Sequence, residues 1–168
     1  LIQLLDDDPA RDAREFETVV RAVAEIAPRV DLIEPGWLSL AARGPSRYFG
    51  GDAALGGHLT RVVAEQLTRL AGRPGVVADA AAGGIGVGSA DGRFAGSVAA
   101  RLSVRRGSPV IVESGTSPDF CAPLPIGWLH TLGEIDADLV DLFGRLGLRR
   151  LGDLAALEPA DVLGRFGP

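Results

Sequence analysis

The run from Leu139 to Leu157, Leu-Val-Asp-Leu-Phe-Gly-Arg-Leu-Gly-Leu-Arg-Arg-Leu-Gly-Asp-Leu-Ala-Ala-Leu, leaves few folds open to this end of the chain. Leu139, Leu142, Phe143 and Leu146 recur at three- and four-residue spacing, so they share one helix face. Gly147 follows at once, where a helix C-terminus favours a residue that takes positive φ. Gly152-Asp153 then predicts a short break with Asp153 as N-cap, and Leu154 and Leu157 rejoin the apolar face. The pattern is a helix–hairpin–helix, which presents backbone N–H groups and a helix N-terminus to a phosphate. Arg145, Arg149 and Arg150 add charge beside the bend. With Gly147, Leu148 and Gly152 they form the candidate DNA-binding set. A plain αα-corner with solvated arginines is the alternative.

Upstream, Phe16, Val19, Val20, Val23, Ile26 and Ala27 make one apolar stripe, so a helix is expected over 14–27, ended by Pro28. Val30–Ile33 and Trp37–Ala41 flank Glu34-Pro35-Gly36, a Pro-Gly pair that predicts a type II turn within a β-hairpin. Residues 44–51 read as a loop, and Asp52 as the N-cap of a second helix running to about Leu70. Val76–Ser89 reads as a strand with a loose start. A helix set by Phe94, Val98 and Leu102 follows, then a strand over Pro109–Glu113. The Pro-rich connection Ser114–Leu129 is the best domain boundary, and everything after it reads as helix. This order predicts an α+β fold, with helices on one face of a mixed sheet, followed by a small all-α domain.

Composition narrows the function. At 168 residues the chain has length for a real core, and 46% hydrophobic with 23% charged residues is ordinary for a globular protein. No apolar run is long enough to span a bilayer, so no membrane is expected. The single cysteine, Cys121, excludes an internal disulfide, fits a cytoplasmic location and reads as a small buried hydrophobe. A net charge of −5 argues against coating nucleic acid by charge alone. Yet every basic residue is arginine, and Arg101, Arg105 and Arg106 form a second cluster, read as secondary backbone contacts. Asp6-Asp7-Asp8 reads as a solvated run rather than a metal site. His58 and His130 have no acid–base or metal partner nearby in sequence, and Trp37 and Trp128 read as core. The chain holds no methionine and stops as another helix begins, so it is expected to be an internal piece of a longer protein.

The Gly-rich stretch Ala82–Gly92 does not hold the G-x-G-x-x-G spacing. From Gly84 the third glycine falls on Ser89, and from Gly86 on Asp91. With no lysine in the chain, a Walker A site is excluded too. Close backbone packing, followed by a turn at Asp91-Gly92 that opens a helix, accounts for the glycines.

Five segments in order resemble the Y-family (UmuC-like) translesion DNA polymerases, and most of all their catalytically degenerate ImuB branch. Val87–Arg101, with Ser-Ala-Asp-Gly-Arg-Phe-Ala, resembles the palm's strand-to-helix segment. Ile33–Leu40 falls at the branch's Pro-Gly turn, and Arg47-Tyr-Phe-Gly-Gly51 at its Arg-Tyr-Phe-Gly loop. Phe120–Pro125 resembles the entry to the thumb, and Arg145–Leu157 the thumb hairpin. The resemblance implies residues 1–12 as the tail of the fingers, 13–116 as a palm lacking its first strand, and 117–168 as the start of a helical thumb.

Nucleotidyl transfer needs clustered carboxylates around two metal ions. Where active members carry an Asp-Glu pair, this chain reads Glu34-Pro35, leaving one carboxylate beside a ring with no ligand atom. Asp91-Gly92 stands where they have Asn-Lys, and Ser103–Gly107 offers Arg105 and Arg106 where they carry a lysine. The resemblance thus implies a noncatalytic DNA-binding adaptor in damage tolerance, with no cofactor. Its implied partners are DNA, a sliding clamp, a RecA-related accessory protein and a second, error-prone polymerase, met mostly through regions outside this chain. Two alternatives stay open: an active translesion polymerase using Mg2+, and an α+β nucleotide-binding domain using the Gly83–Gly92 loop.

Overall fold

A computed structural model describes residues 9–71, 84–158, 160 and 164 of the chain. It is a mixture of helices and a few short strands. The chain divides into two compact units, Leu1–Ser89 with Ala100–Ile111 and Ala90–Ala99 with Val112–Pro168.

The first unit is built on two helices, α1 (Pro9–Ala24) and α3 (Asp52–Ala71). The expected stripe supplies the core: Val19 and Val23 of α1 are buried with Leu55 and Leu59 of α3. Phe16, Ile26, Val63 and Leu67 pack around them. Between the two helices in chain order comes an antiparallel hairpin, β1 (Val30–Glu34) and β2 (Trp37–Leu40). Its turn puts Gly36 at φ 91°, a conformation glycine takes without a Cβ penalty. Residues 44–51, expected to be a loop, are instead mostly helix, α2 (Arg43–Phe49), closed by Gly50 at φ 88°. Pro45 looks like a helix breaker in sequence, but it sits in the first turn, where its missing N–H has no partner to lose.

Asp52 is the first residue of α3 rather than the residue before it. Its carboxylate accepts hydrogen bonds from the Ser46 hydroxyl and, at 3.0 Å, from the Ser89 hydroxyl.

A second ladder is parallel: β3 (Gly88–Ser89) pairs with β4 (Val110–Ile111) across α4 (Arg93–Arg106). Among the described residues the strands therefore pair as two separate two-stranded ladders. The expected strand over 109–113 is only two residues long, and residues 76–83 of the other expected strand lie outside the described residues. The glycines here serve packing. A Cβ on Gly86 would meet the Ala100 carbonyl oxygen and lie 2.9 Å from Val104 Cγ2. Ser103, fully buried, ties the same contact: its hydroxyl accepts from the Val87 N–H at 2.8 Å and donates to the Ala100 carbonyl at 2.7 Å.

In the second unit the Pro-rich connection carries two short helices, α5 (Ser117–Cys121) and α6 (Trp128–Thr131). They are followed by α7 (Ala137–Arg145) and α8 (Leu151–Ala155). Ile126, Phe143 and Leu151 form the buried core, with Phe94, Leu124, Trp128, Leu139 and Leu154 packed on it. Asp91 anchors the turn before α4. Its carboxylate accepts from the Ser114 hydroxyl and the Gly115 N–H, and its own N–H donates to the Ser117 hydroxyl at 3.1 Å. Cys121 is half-buried, and burial pushes its thiol up.

Candidate nucleic-acid interface

The hairpin forms from α7, a bend and α8. Leu139, Val140 and Phe143 turn α7 toward the core, and Gly147 ends it at φ 87°. Leu148 folds back onto the core, its N–H donating to the Phe143 carbonyl at 2.9 Å. The chain then pairs with the strand-like segment before α6. Ile126 N–H donates to the Arg149 carbonyl, and Leu151 N–H to the Leu124 carbonyl, each at 2.9 Å.

Asp153 does not cap α8 from in front. It is the third helical residue, and its Oδ2 reaches back to accept the Arg149 N–H at 2.9 Å and the Arg150 N–H at 2.8 Å. Arginine has no acceptor, so the cap is one-sided rather than reciprocal. The Arg150 and Arg149 N–H groups hold the Asp153 carboxyl below the usual carboxylate range, and the Arg150 charge adds to this.

The remaining N–H groups of the bend are also bonded inside the protein. Leu146 and Gly147 donate into the last turn of α7, and Asp153 and Leu154 donate to the Arg150 carbonyl. Gly152 donates to the Ala122 carbonyl at 3.0 Å, and a Cβ on Gly152 would stand 3.0 Å from Ala122 Cβ. From Leu146 to Leu154, then, each backbone N–H has an internal acceptor. What the hairpin turns outward is side chain: Arg145, Arg149 and Arg150 are all exposed, and Leu146 is 47% exposed. Arg145 and Arg149 line an open groove of about 730 Å³ together with Asp138 and Asp141 of α7.

The second arginine cluster divides. Arg101 lies 4.6 Å above the centre of the Trp37 ring, a cation–π contact that holds its guanidinium at the first unit's surface. Arg105 and Arg106 are exposed in the last turn of α4, where cations complement the helix dipole. Glu34 and Pro35 sit exposed at the β1–β2 turn. Among the described residues, no group of three or more His, Cys, Asp or Glu side chains is placed to hold a metal ion. As donors, one exposed carboxylate beside a proline ring does not fit a two-metal site.

Both histidines have partners that sequence spacing does not reveal. His58 stacks on Phe49 at 4.5 Å, and its Nδ1 faces the Arg61 guanidinium at 2.9 Å. Arginine only donates, so this Nδ1 is an acceptor. His130 Nδ1 donates to the Ile135 carbonyl at 3.2 Å. Trp128 belongs to the core of the second unit. Among the described residues, no helix is long and apolar enough to cross a membrane.

No family model matches the chain. It is 31% identical over 164 residues, 96% of its own length, to the protein named ImuB in two strains of Caulobacter vibrioides. The chain spans 31% of the length of these relatives.

Proposed function

We propose that this chain is the DNA-holding part of a noncatalytic, ImuB-like polymerase relative that acts as an adaptor in damage tolerance and mutagenic translesion synthesis. In this reading residues 13–116 correspond to an incomplete palm and residues 117–168 to the start of a thumb, so Ala90–Ala99 and Val112–Thr116 of the second unit would belong to the palm. Similarity to ImuB along nearly the whole chain supports it. So does the Glu34-Pro35 turn, whose donor set does not fit metal-dependent phosphoryl transfer.

One observation carries the binding claim: Arg145, Arg149 and Arg150 emerge at a bend whose backbone N–H groups are all bonded within the protein. Such a bend is rigid before DNA arrives, so little ordering entropy opposes contact. Contact then runs through guanidinium groups on phosphate oxygens, which position the duplex without reading its sequence. The reading leaves the sliding clamp, the RecA-related protein and the second polymerase as partners of the longer protein.

The test is a salt titration of duplex binding by the full-length protein. Arg149→Ala with Arg150→Ala is expected to weaken binding uniformly across sequences. It should flatten the slope of log affinity against log salt by about 1.8, for two phosphates released at about 0.9 each. An unchanged slope would return these arginines to a solvated surface.

A further inference from the structure

The first unit carries a second cationic surface, well apart in sequence from the hairpin and built around an aromatic ring. Tyr48 is 85% exposed, far more than the other exposed large hydrophobic side chains of the described residues. Its neighbour, by contrast, is anchored. The Tyr48 ring meets Phe49 edge-on at 5.0 Å, and Phe49 stacks on His58 and packs against the core of Val19, Val23, Leu55 and Leu59. At this exposure most of the Tyr48 ring surface is open to solvent.

The charge around it is one-sided. From Pro35 to Gly51 the chain contains no Asp or Glu, although it holds 22 acids in all. The same stretch contains Arg43 and Arg47, one turn apart on α2 and both exposed. Neither forms an ion pair with an acid of the described residues. Asp52, the first acid beyond the stretch, has both carboxylate oxygens engaged by Ser46 and Ser89.

We infer that Tyr48, Arg43 and Arg47 form a binding platform for single-stranded nucleic acid, with one base stacked on Tyr48 and the flanking phosphates met by the two arginines. An open aromatic face beside unpaired guanidinium groups suits an unpaired base and its backbone, because every base offers a π-face and every linkage an anion. A duplex hides its base faces and cannot use the ring in this way. The platform stands independently of the hairpin, which contacts backbone only.

The experiment compares binding of the full-length protein to fluorescent oligo-dT, to an abasic strand of equal length, and to duplex. Tyr48→Ala is expected to weaken oligo-dT binding about 5- to 150-fold, the range for losing one base stack, and to leave the abasic strand unaffected. Tyr48→Phe keeps the ring and is expected to bind within about twofold of the unmodified protein. Arg43→Ala with Arg47→Ala is expected to flatten the salt slope on single strands by about 1.4, at about 0.7 for each phosphate. The inference is overturned if oligo-dT does not bind, or if Tyr48→Ala binds it unchanged or loses as much on the abasic strand. An effect of these variants only on assembly with another protein overturns it equally. The hairpin reading is judged separately, on duplex, by the Arg149 and Arg150 variants.

Discussion

Asp153 shows how much one side chain decides in this hairpin. It gathers two N–H groups that a phosphate would otherwise claim, and so closes the bend's backbone to anions. A carboxyl whose folded value is depressed stabilises the fold above its unfolded value, about 3.9. That contribution is lost as pH falls through the lower, folded value. The amide protons of Arg149 and Arg150 are therefore expected to shift together below about pH 4 and to stay constant above it, as followed by NMR. In Asp153→Ala the shared titration should vanish, and both amides should exchange faster at neutral pH. Persistence of the titration in that variant would assign it to another group. The sequence suggests Asp153 as the N-cap of α8, but the helix starts one turn earlier and Asp153 is its third residue. An aspartate in front of a helix and one at its third position look alike in a string of letters, and only the direction of the side chain separates them.

Among the elements, α4 packs closely against the segment that leads into β3. Gly86 lies against the Ala100 carbonyl with no room for a methyl group. Gly86→Ala is expected to cost about 1–3 kcal/mol of stability through overpacking. In urea this should appear as a lower midpoint with an unchanged slope. A stable Gly86→Ala protein would mean that the strand can retreat from the helix. The helices of this region were legible because their apolar stripes repeat at helical spacing, as Val19 and Val23 do in α1. The failures were local. Gly44-Pro45 reads as a breaker yet opens α2, because proline is tolerated in a first turn. The strands 88–89 and 110–111 are too short for any alternation to mark their ends. At the candidate interface the arginines and the positive-φ Gly147 were visible in sequence. The internal bonding of the bend was not, since its acceptors at Ala122 and Leu124 lie some thirty residues upstream.

Over the whole molecule, each unit has a buried cluster of its own among the described residues, Val19, Val23, Leu55 and Leu59 in the first and Ile126, Phe143 and Leu151 in the second. Phe143 is the aromatic residue at the centre of the second core, 5% exposed. Phe143→Ala is expected to destabilise that unit by about 3–5 kcal/mol, enough to disorder the hairpin and take duplex affinity with it. Circular dichroism and duplex titration of the same sample would show both losses together, and retained binding would detach the hairpin from this core. Catalysis is also a property of the whole. Primer extension by the full-length protein with magnesium or manganese is expected to give no incorporation. Robust synthesis that Glu34→Ala abolishes would restore the active-polymerase alternative.

The way the chain is shared between the units has a practical result for anyone who cuts it. The first unit takes residues up to Ser89 and then Ala100–Ile111, while the second takes Ala90–Ala99 between them. The border therefore falls inside the continuous helix Arg93–Arg106. No single scission leaves both units whole: a break after Ile111 keeps every residue of the first but strips the second of Phe94, which packs on its core. Deletion mapping with fragments ending near that point would report lost activities that belong to broken folding units rather than to missing contacts. Point substitutions, not truncations, are the tools that can assign function to either surface.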